Sequence, residues 1–334
     1  MYKILQASPV VTLFGLLALD ATTRSSYAQC VEGCTAIHTL VGQAAGDLFG
    51  WEAKNLGDVD GDDVNDFIVS ASGRDEGGSS SGKVYVYSGA TGAEIWSRSG
   101  TVAGGQFGFS SNRVGDLNGD GASEVVVGQP TGANGSVRIL SGVDGAVLRT
   151  INGAAANDQF GYRSVGGGDV NGDGTPDFLV GAPRHDTAGT NAGRVYVYSG
   201  ADFSLLGTVD GESSADQHGT ALGILGDRDF DGRDEIVVCA KNAGTTAGGR
   251  AYVYTYDGSA FVLLATIEPP ANSVDFSEFF CNGGHDMNRD GVPDFYASDF
   301  QTNRAYVYSG ATFERLETFT GDGNGQFGIG ELSP

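Results

Sequence analysis

Five short acidic segments recur along this chain, and their side chains are of the type that binds hard metal cations. Successive segments start 53 to 59 residues apart, and each carries oxygen-bearing side chains at positions 1, 3, 5 and 9. In chain order these side chains are Asp58, Asp60, Asp62, Asp66; Asp116, Asn118, Asp120, Glu124; Asp169, Asn171, Asp173, Asp177; Asp227, Asp229, Asp231, Glu235; Asp286, Asn288, Asp290, Asp294. Calcium takes about six to eight oxygen ligands from carboxylates, amides and carbonyls. We therefore predict a Ca2+ site in each segment, up to five in all.

Positions 6 and 7 of the segments fit the same chemistry. Position 7 carries no common side chain, as expected if its backbone carbonyl is the ligand. The residues there are Val64, Ala122, Thr175, Arg233 and Val292. Position 6 is Gly in four segments and Asp63 in the first. Both residue types tolerate the positive φ of a sharp bend, glycine at lower cost.

Three other interpretations of the segments are weaker. Asp, Asn and Gly also form ordinary turns, but five segments in register would hold repelling carboxylates together for no purpose. Magnesium demands strict octahedral geometry and keeps its water, so it fits less well. An EF-hand would need flanking helices and a Glu at position 12, and the sequence has neither.

The segments belong to a longer internal repeat, which predicts the fold. Val-Tyr-Val-Tyr-Ser-Gly occurs at residues 84–89 and 195–200, with weaker copies elsewhere. Nine residues before the first four segments stand Phe49, Phe107, Phe160 and His218, each followed by Gly. In the fifth repeat the motif is weakened to Phe276-Ser277-Glu278, and counting nine residues back places Ser277 at the Phe position.

Each repeat contains four short strand patterns, including one uniformly apolar run such as residues 178–182. A sheet that is apolar on both faces needs neighbours, and radial stacking of sheets supplies them. We therefore predict an all-β fold, a β-propeller of four-stranded antiparallel blades. A β-solenoid is the alternative, but its repeats are shorter. The predicted repeats are 49–106, 107–159, 160–217, 218–275 and 276–326, with partial repeats 35–48 and 327–334 that could form a reduced closing blade. The number of blades stays open.

The combination of motifs resembles the FG-GAP repeat of integrin α-subunits and many bacterial secreted proteins. It consists of Phe-Gly, the Asp-x-Asp/Asn-x-Asp-Gly loop and Gly181-Ala182-Pro183, with Gly128-Gln129-Pro130 as a variant. The resemblance implies calcium at positions 1, 3, 5, 7 and 9 of each loop, between the first and second strands. It also implies seven blades in the integrin case, for which this chain is too short. The resemblance extends to the scaffold and does not transfer an adhesion function.

The N-terminus has the features of a secretory signal peptide. Lys3 precedes a short apolar run at residues 10–19, and Ser26-Tyr27-Ala28 offers a cleavage site. We predict a signal peptide over 1–28, one propeller domain over 29–334, and a secreted, extracellular or periplasmic protein without a membrane span.

The four cysteines are Cys30, Cys34, Cys239 and Cys281. They allow three pairings, of which Cys30–Cys34 with Cys239–Cys281 is the most local, or Cys239 and Cys281 are simply buried in strands.

Charge and histidine content limit the function. The formal net charge of −23 excludes nucleic acid and anionic membrane as attractive partners. The histidines His38, His185, His218 and His285 form no catalytic pattern, so we predict no enzyme. The predicted function is a binding module for an extracellular protein or glycan, and the alternative is a polysaccharide-active enzyme or lectin on the same scaffold.

Four residues on the face opposite the acidic loops are candidates for ligand contact, or else ordinary solvated loop residues. They are Arg74, Arg184, His185 and Lys241.

Overall fold

The structure, a computed structural model, describes residues 5–7, 10–14, 36–244, 248–271, 273–274, 276–299 and 301–321. These residues form strands and connecting loops, with no helix among them. Within the same ranges there is consequently no helix of the length and apolarity that a bilayer crossing requires.

Five four-stranded antiparallel sheets form the five blades of a β-propeller, which confirms the predicted fold class. Blade I contains β4 (Phe49–Gly57), β5 (Asp66–Ala71), β6 (Lys83–Tyr87) and β7 (Glu94–Ser99). Blade II contains β8 (Ser110–Gly115), β9 (Glu124–Gln129), β10 (Ser136–Leu140) and β11 (Val147–Asn152). Blade III contains β12 (Arg163–Gly168), β13 (Asp177–Ala182), β14 (Arg194–Tyr198) and β15 (Leu205–Asp210).

Blades IV and V repeat this arrangement. Blade IV contains β16 (His218–Gly226), β17 (Glu235–Ala240), β18 (Arg250–Tyr256) and β19 (Phe261–Ile267). Blade V contains β20 (Phe276–His285), β21 (Asp294–Asp299), β22 (Arg304–Tyr308) and β23 (Arg315–Thr320). In each blade the strands pair in chain order, so the acidic loop joins the first and second strands at one end of the blade. All five loops therefore lie on one side of the propeller, here called the metal-loop face.

The core lies between the blades. Every residue of the five second strands is buried, as the uniformly apolar runs predicted. One apolar cluster joins Val84 and Val86 of blade I to Val125 and Val127 of blade II, and similar clusters join the next three pairs of blades. Burial of apolar area contributes roughly 25 cal/mol per Å², so stacking of the blades is the main source of their stability.

The Phe-Gly motif connects each blade to the one before it. Phe107 is fully buried and forms an isolated parallel bridge with Gly82 of blade I. A Cβ on Gly82 would lie 2.1 Å from the Phe107 carbonyl oxygen, so only glycine permits this approach. Gly135 with Phe160 and Gly193 with His218 repeat the bridge. The motif thus sets how closely consecutive blades pack.

Blade V corrects the predicted alignment of its motif. Phe276 pairs with Asp299 as Phe49 pairs with Ala71 in blade I, so Phe276 and not Ser277 occupies the aromatic position. Ser277 instead replaces the glycine of the motif and adopts a positive φ of 64°. The strand gains one residue before Cys281, which is why counting back from the acidic loop misplaced the motif.

A further sheet of three strands adjoins blade I. It consists of β1 (Leu5–Ala7), β2 (Val10–Phe14) and β3 (Ala36–Val41), paired antiparallel in that order. Leu40 of β3 packs on Phe67 and Val69 of blade I. Strand β3 lies within the predicted partial repeat 35–48, whose part in a closing blade stays a prediction, and 327–334 lies outside the described residues. The predicted signal peptide stays a prediction, since only 5–7 and 10–14 of its residues are described.

Two of the four cysteines come together between blades. Cys239 of β17 and Cys281 of β20 are both fully buried in the cluster between blades IV and V, as free thiols. Burial and the neighbouring Cys239 raise the pKa of the Cys281 thiol. Both cysteines lie in strands, as one interpretation of the sequence predicted, and they are close together, as the alternative of a Cys239–Cys281 pairing requires. Cys30 and Cys34 lie outside the described residues.

Candidate metal centre

Position 1 of each acidic segment organises the loop around its own carboxylate. In the segment 58–66, here called loop I, Asp58 Oδ1 accepts the N–H groups of Gly61 at 2.7 Å and Asp62 at 3.1 Å. Its Oδ2 accepts the N–H of Asp63 at 2.8 Å. The segments 116–124, 169–177, 227–235 and 286–294, here loops II to V, repeat this pattern around Asp116, Asp169, Asp227 and Asp286. Each loop is therefore a closed turn around its first residue.

Positions 3 and 5 turn toward the same centre. In loop II, Asn118 Nδ2 donates to Asp120 Oδ2 and to Glu124 Oε1, both at 2.9 Å. The N–H of Ala122 donates to Asp120 Oδ1 at 2.9 Å. Loops III and V repeat the amide contact, through Asn171 and Asn288. The side chains of positions 3, 5 and 9 thus meet in loop II, and those of positions 3 and 5 meet in loops III and V.

The carboxylate at position 9 is buried at the base of each loop. Asp66 Oδ2 accepts the N–H of Val59 at 2.8 Å, and its Oδ1 accepts the N–H of Gly89 at 2.9 Å. Asp177 and Asp294 make the corresponding contacts in loops III and V. This residue therefore ties the loop to the third strand of its own blade.

Loop IV leaves one buried acidic oxygen without a hydrogen bond of good geometry. Glu235 is fully buried, and its Oε2 accepts the N–H of Arg228 at 2.9 Å. Its Oε1 accepts no hydrogen bond of good geometry among the described residues, although the Thr255 side chain lies near enough to lower the pKa of this carboxyl group. Asp227, Asp229 and Glu235 each offer an oxygen within 4.8 Å of the others. A buried carboxylate oxygen without a well-placed donor is costly, and a divalent cation among these three oxygens would satisfy it.

Loop I brings three carboxylates equally close. Asp58, Asp60 and Asp62 also offer oxygens within 4.8 Å of one another. Partial burial, Asp66 and Asp62 raise the pKa of Asp60, because nearby negative charges disfavour its ionised form. For Asp58, burial alone would raise the pKa, but the N–H groups of Asp63 and its neighbours lower it. Backbone hydrogen bonds thus favour the ionised form of Asp58, whereas nearby negative charges disfavour the ionised form of Asp60. A cation between the two carboxylates would offset this repulsion.

The buried acids at position 9 show the same electrostatic cost. Burial raises the pKa of Asp177 to about 6, despite the N–H groups of Gly200, Asn171 and Val170. Burial also raises the pKa of Glu124, with Asp120 and Asp116 adding repulsion. The donor set is hard oxygen throughout, which matches Ca2+ and not a softer metal.

The backbone of the loops meets one expected requirement and one that the sequence analysis missed. Position 6 has positive φ in every loop, as expected, including Asp63 at 64°. Position 4 also has positive φ in every loop: Gly61, Gly119, Gly172, Phe230 and Arg289. Glycine at position 4 of three loops was a visible signal of this requirement. Phe230 and Arg289 adopt the same conformation with a side chain.

Two matches to a family model coincide with this architecture. A model described as FG-GAP repeat matches residues 55–87 and 160–198. The first match spans loop I and strands β5 and β6, and the second runs from Phe160 through loop III to Tyr198. These two segments match the FG-GAP repeat. Their acidic loops are the ones whose geometry is described above.

Integrin α-subunits are among the proteins similar to this FG-GAP chain. Integrin alpha-5 of Xenopus laevis is 32% identical over 221 residues, which are 61% of this chain and 21% of that protein. Integrin alpha-IIb of Homo sapiens is 32% identical over 222 residues, with the same coverage. The chain thus spans about a fifth of the length of these relatives. A crystal structure of the V. cholerae biofilm matrix protein Bap1 aligns with 80% of this chain and 38% of its own, at 19% identity and a TM-score of 0.42.

The opposite face of the FG-GAP propeller carries the four predicted ligand-contact candidates. Arg74 is paired with Asp47 at 2.7 Å, and Lys241 with Glu278 at 2.9 Å. His185 Nε2 lies 3.8 Å from Asp158 Oδ2. Arg184 lines a small cavity of about 100 Å³ between blades II and III. Three of the four candidates therefore hold loops together, and Arg184 is the one beside a cavity.

A larger polar cavity of about 370 Å³ lies on this face between blades III and IV. Its lining includes Glu212, Asp216, Asn242 and Arg250. Glu212 accepts a hydrogen bond from the Tyr252 hydroxyl at 3.3 Å and lies 3.4 Å from Arg250. Asp216 Oδ2 accepts the N–H of Ser213 at 2.7 Å. Both carboxylates are thus engaged in holding the cavity wall.

An aromatic row was not foreseen from the sequence. Trp51, Phe109 and Tyr162 each directly follow the Gly of a Phe-Gly motif, and their rings lie in series with centroids 5.2 Å and 4.9 Å apart. The Trp51 indole N–H donates to the Phe109 carbonyl at 2.9 Å, and the ring is 39% exposed. An aromatic residue at the same offset in three repeats was the signal available. The row places one exposed ring, Trp51, and two half-buried rings at this end of blades I to III.

Proposed function

We propose that the chain is a calcium-binding FG-GAP propeller, secreted from the cell, that acts as an extracellular binding module. The observation that carries the calcium assignment is the cluster of Asp227, Asp229 and the buried Glu235, whose oxygens lie within 4.8 Å of one another and whose Oε1 accepts no hydrogen bond of good geometry among the described residues. Five loops with one design support extending the assignment from loop IV to the others.

In this proposal the side chains at positions 1, 3, 5 and 9 and the carbonyl at position 7 hold one Ca2+ in each loop. Bound calcium supplies positive charge that offsets the crowded carboxylates. The residues at position 1 shape the loop, and those at position 9 connect it to the core of the blade. Residues 1–28, as the predicted export signal, support an extracellular location, where disulfide formation is also permitted.

The ligand surface is assigned to the face opposite the loops. The aromatic row of Trp51, Phe109 and Tyr162 offers ring area, and the loops around it offer paired charges. Exposed aromatic rings with polar surroundings suit the apolar faces of sugars and the side chains of a protein partner. The proposed ligand is an extracellular protein or glycan.

A lectin is the second candidate, and the polar cavity beside Arg250 favours it. Glu212, Asp216 and Asn242 supply the acceptors and donors that hydroxyl groups of a sugar require. A polysaccharide-active enzyme would need a carboxyl group available for proton transfer. Because Glu212 and Asp216 already bind Arg250, Tyr252 and Ser213, the cavity supports binding better than catalysis.

A glycan-array screen tests the binding role, performed in calcium and in chelator with the wild type and two variants. Trp51→Ala shortens the aromatic row, and Asn242→Ala alters the cavity; Val262→Ala, on the exposed outer strand of blade IV, is the control. Loss of glycan binding in Trp51→Ala assigns the row, and loss in Asn242→Ala assigns the cavity. Glycan binding that survives both substitutions would contradict the proposed surface. Absence of binding to any glycan would remove the lectin and leave a protein ligand.

A further inference from the structure

Loops III and IV are joined by two hydrogen bonds that involve a residue with no assigned role. Asp234 occupies position 8 of loop IV, and its Oδ2 accepts the N–H of Asp169 at 2.9 Å. The N–H of Asp234 donates in return to the Asp169 carbonyl oxygen at 2.8 Å. Asp169 is position 1 of loop III, the residue around which that loop closes. One side chain of loop IV therefore holds the backbone of the organising residue of loop III.

Asp234 also stands between two proposed calcium ligands of its own loop. Arg233 precedes it at position 7, and the buried Glu235 follows at position 9. Any movement that brings the Arg233 carbonyl and the Glu235 carboxylate onto an ion must also position Asp234, because the three residues are consecutive. Asp234 therefore directly adjoins two proposed calcium ligands of loop IV in the chain, and it is hydrogen-bonded directly to position 1 of loop III.

Position 8 behaves differently in the neighbouring pairs of loops. Pro176 of loop III packs against Gly115, where a Cβ would lie 2.7 Å from its Cγ, and Pro293 of loop V packs against Gly226 in the same way. Proline has no N–H to donate and no side-chain acceptor. At the corresponding place between loops III and IV, a Cβ on Gly168 would lie 2.7 Å from Asp234 Oδ2. Asp234 thus approaches the neighbouring blade as closely as the prolines do, but through a polar atom. Loops II–III and IV–V therefore touch through proline, whereas loops III and IV are hydrogen-bonded.

We propose that loops III and IV bind Ca2+ cooperatively and that Asp234 is the positioning residue that couples them. The inference rests on the proposed calcium function. An ion in loop IV fixes residues 233–235, and Asp234 then fixes Asp169, so loop III needs less ordering before it binds. The coupling is reciprocal, since two linked binding equilibria affect each other by the same factor. A carboxylate between the two sites also reduces the repulsion between their ions.

The test follows calcium binding loop by loop in the full-length chain, starting from the metal-free state. The backbone amide resonances of Gly121, Gly174, Gly232 and Gly291, each at position 6, report loops II, III, IV and V separately during titration with Ca2+. Asp231→Asn removes one negative charge from loop IV and so weakens Ca2+ binding there, as the Gly232 resonance reports directly, while keeping an oxygen for the Arg233 N–H. We expect this variant to weaken Ca2+ binding at Gly174 by about 5-fold or more, the usual lower limit of allosteric coupling, and to leave Gly121 unchanged.

Two further variants complete the design. Asp173→Asn should weaken binding at Gly232 by the same factor that Asp231→Asn produces at Gly174. In Asp234→Pro, which copies the residue of loops III and V, adding Asp231→Asn should no longer affect Gly174. The matched control is Asp290→Asn in loop V, which should leave Gly232 unchanged because Pro293 transmits no hydrogen bond.

The outcomes separate the inference from the function on which it rests. If Gly174 titrates with the same affinity whether or not loop IV is disabled, the coupling is refuted while calcium binding stands. Coupling that survives Asp234→Pro would refute the role of Asp234. If none of the four resonances responds to Ca2+, the proposed calcium function itself fails.

Discussion

Arg163 of blade III reaches across the propeller axis to Glu52 of blade I, with 2.6 Å between Nη1 and Oε1. Both side chains are buried. Glu52 Oε2 accepts the N–H of Ser111 from blade II at 2.6 Å, and the Arg163 guanidinium lies 4.9 Å from the centre of the Phe280 ring of blade V. Lys54 lies close to the same pair, and burial lowers its pKa to about 8. Charged groups on the axis thus connect four of the five blades.

Breaking this pair should destabilise the whole propeller. Arg163→Met leaves the Glu52 charge buried, so we expect a loss of about 3–5 kcal/mol in the free energy of unfolding. The double variant Glu52→Gln/Arg163→Met removes both charges and keeps an acceptor for the Ser111 N–H, and should recover about half of that loss. Urea unfolding measures both.

The control is the ion pair of the half-buried Arg250 with the exposed Glu268, 2.7 Å apart, where Glu268→Gln should cost less than about 1 kcal/mol. If Arg163→Met costs no more than Glu268→Gln, the axial pair does not hold the blades together.

The axial pair also marks a limit of sequence analysis. The repeat period, the Phe-Gly motif and the apolar runs predicted the blades, because each of these signals is local and recurs. Glu52 and Arg163 lie 111 residues apart. Both stand three residues after the aromatic residue of their motif, but the residue type at this offset changes from repeat to repeat, so it gives no recurring signal. A contact across the axis depends on how the blades close around it, and no repeated pattern encodes that.

His218→Phe should stabilise the protein, and more so in acid. The imidazole is fully buried against Tyr252 and Tyr254, and neither ring nitrogen has a hydrogen-bond partner among the described residues. Burial lowers the pKa of His218 to about 4, partly offset by Asp210. Below its ordinary pKa near 6.5 the unfolded chain takes up a proton that the folded chain refuses, so stability falls as the pH drops from about 6.5 to about 4.

We expect His218→Phe to gain about 1–3 kcal/mol at pH 7 by removing two unsatisfied buried nitrogens. The gain should increase by an amount of order 3 kcal/mol at pH 4, where the wild type bears the full cost. Thermal or urea unfolding of both proteins at several pH values measures this difference. A difference that is constant between pH 7 and pH 4 would mean that His218 is protonated in the fold as easily as in the unfolded chain.

Ser277→Gly should stabilise blade V. Ser277 is fully buried with φ of 64°, and its hydroxyl has no partner within the described part of the chain. The corresponding Gly219 has φ of 89° without a Cβ to strain. Removing the strained Cβ and the unpaired hydroxyl outweighs the added freedom of the unfolded chain, and we expect a gain of about 1 kcal/mol.

The reverse change, Gly219→Ser, serves as the comparison. A Cβ there would lie 3.0 Å from Val195 Cγ2, so this variant should lose stability. If Ser277→Gly and Gly219→Ser shifted the unfolding midpoint in the same direction by the same amount, the glycine position of the motif would have no special conformational demand.

The acidic loops show how far ligand prediction from sequence extends. Positions 1, 3 and 5 of loop I and positions 1, 3 and 9 of loop IV bring oxygens within 4.8 Å of one another, because alternate residues of a tight turn lie on one side. The complete ligand set of each loop stays a prediction. The role of Asp234 could not be foreseen, since position 8 differs in chemistry between the loops and acts only on the neighbouring blade. The state of Glu235 Oε1 follows from position 3: Asn118 of loop II donates to Glu124 Oε1, whereas Asp229 of loop IV has no amide group to donate.

A count of bound calcium by native mass spectrometry tests the central claim most directly. The account predicts that the full-length chain, freed of metal and returned to Ca2+, gains up to five ions, and that Asp231→Asn and Asp290→Asn each reduce the count. No retained calcium, or a count indifferent to both substitutions, would contradict it.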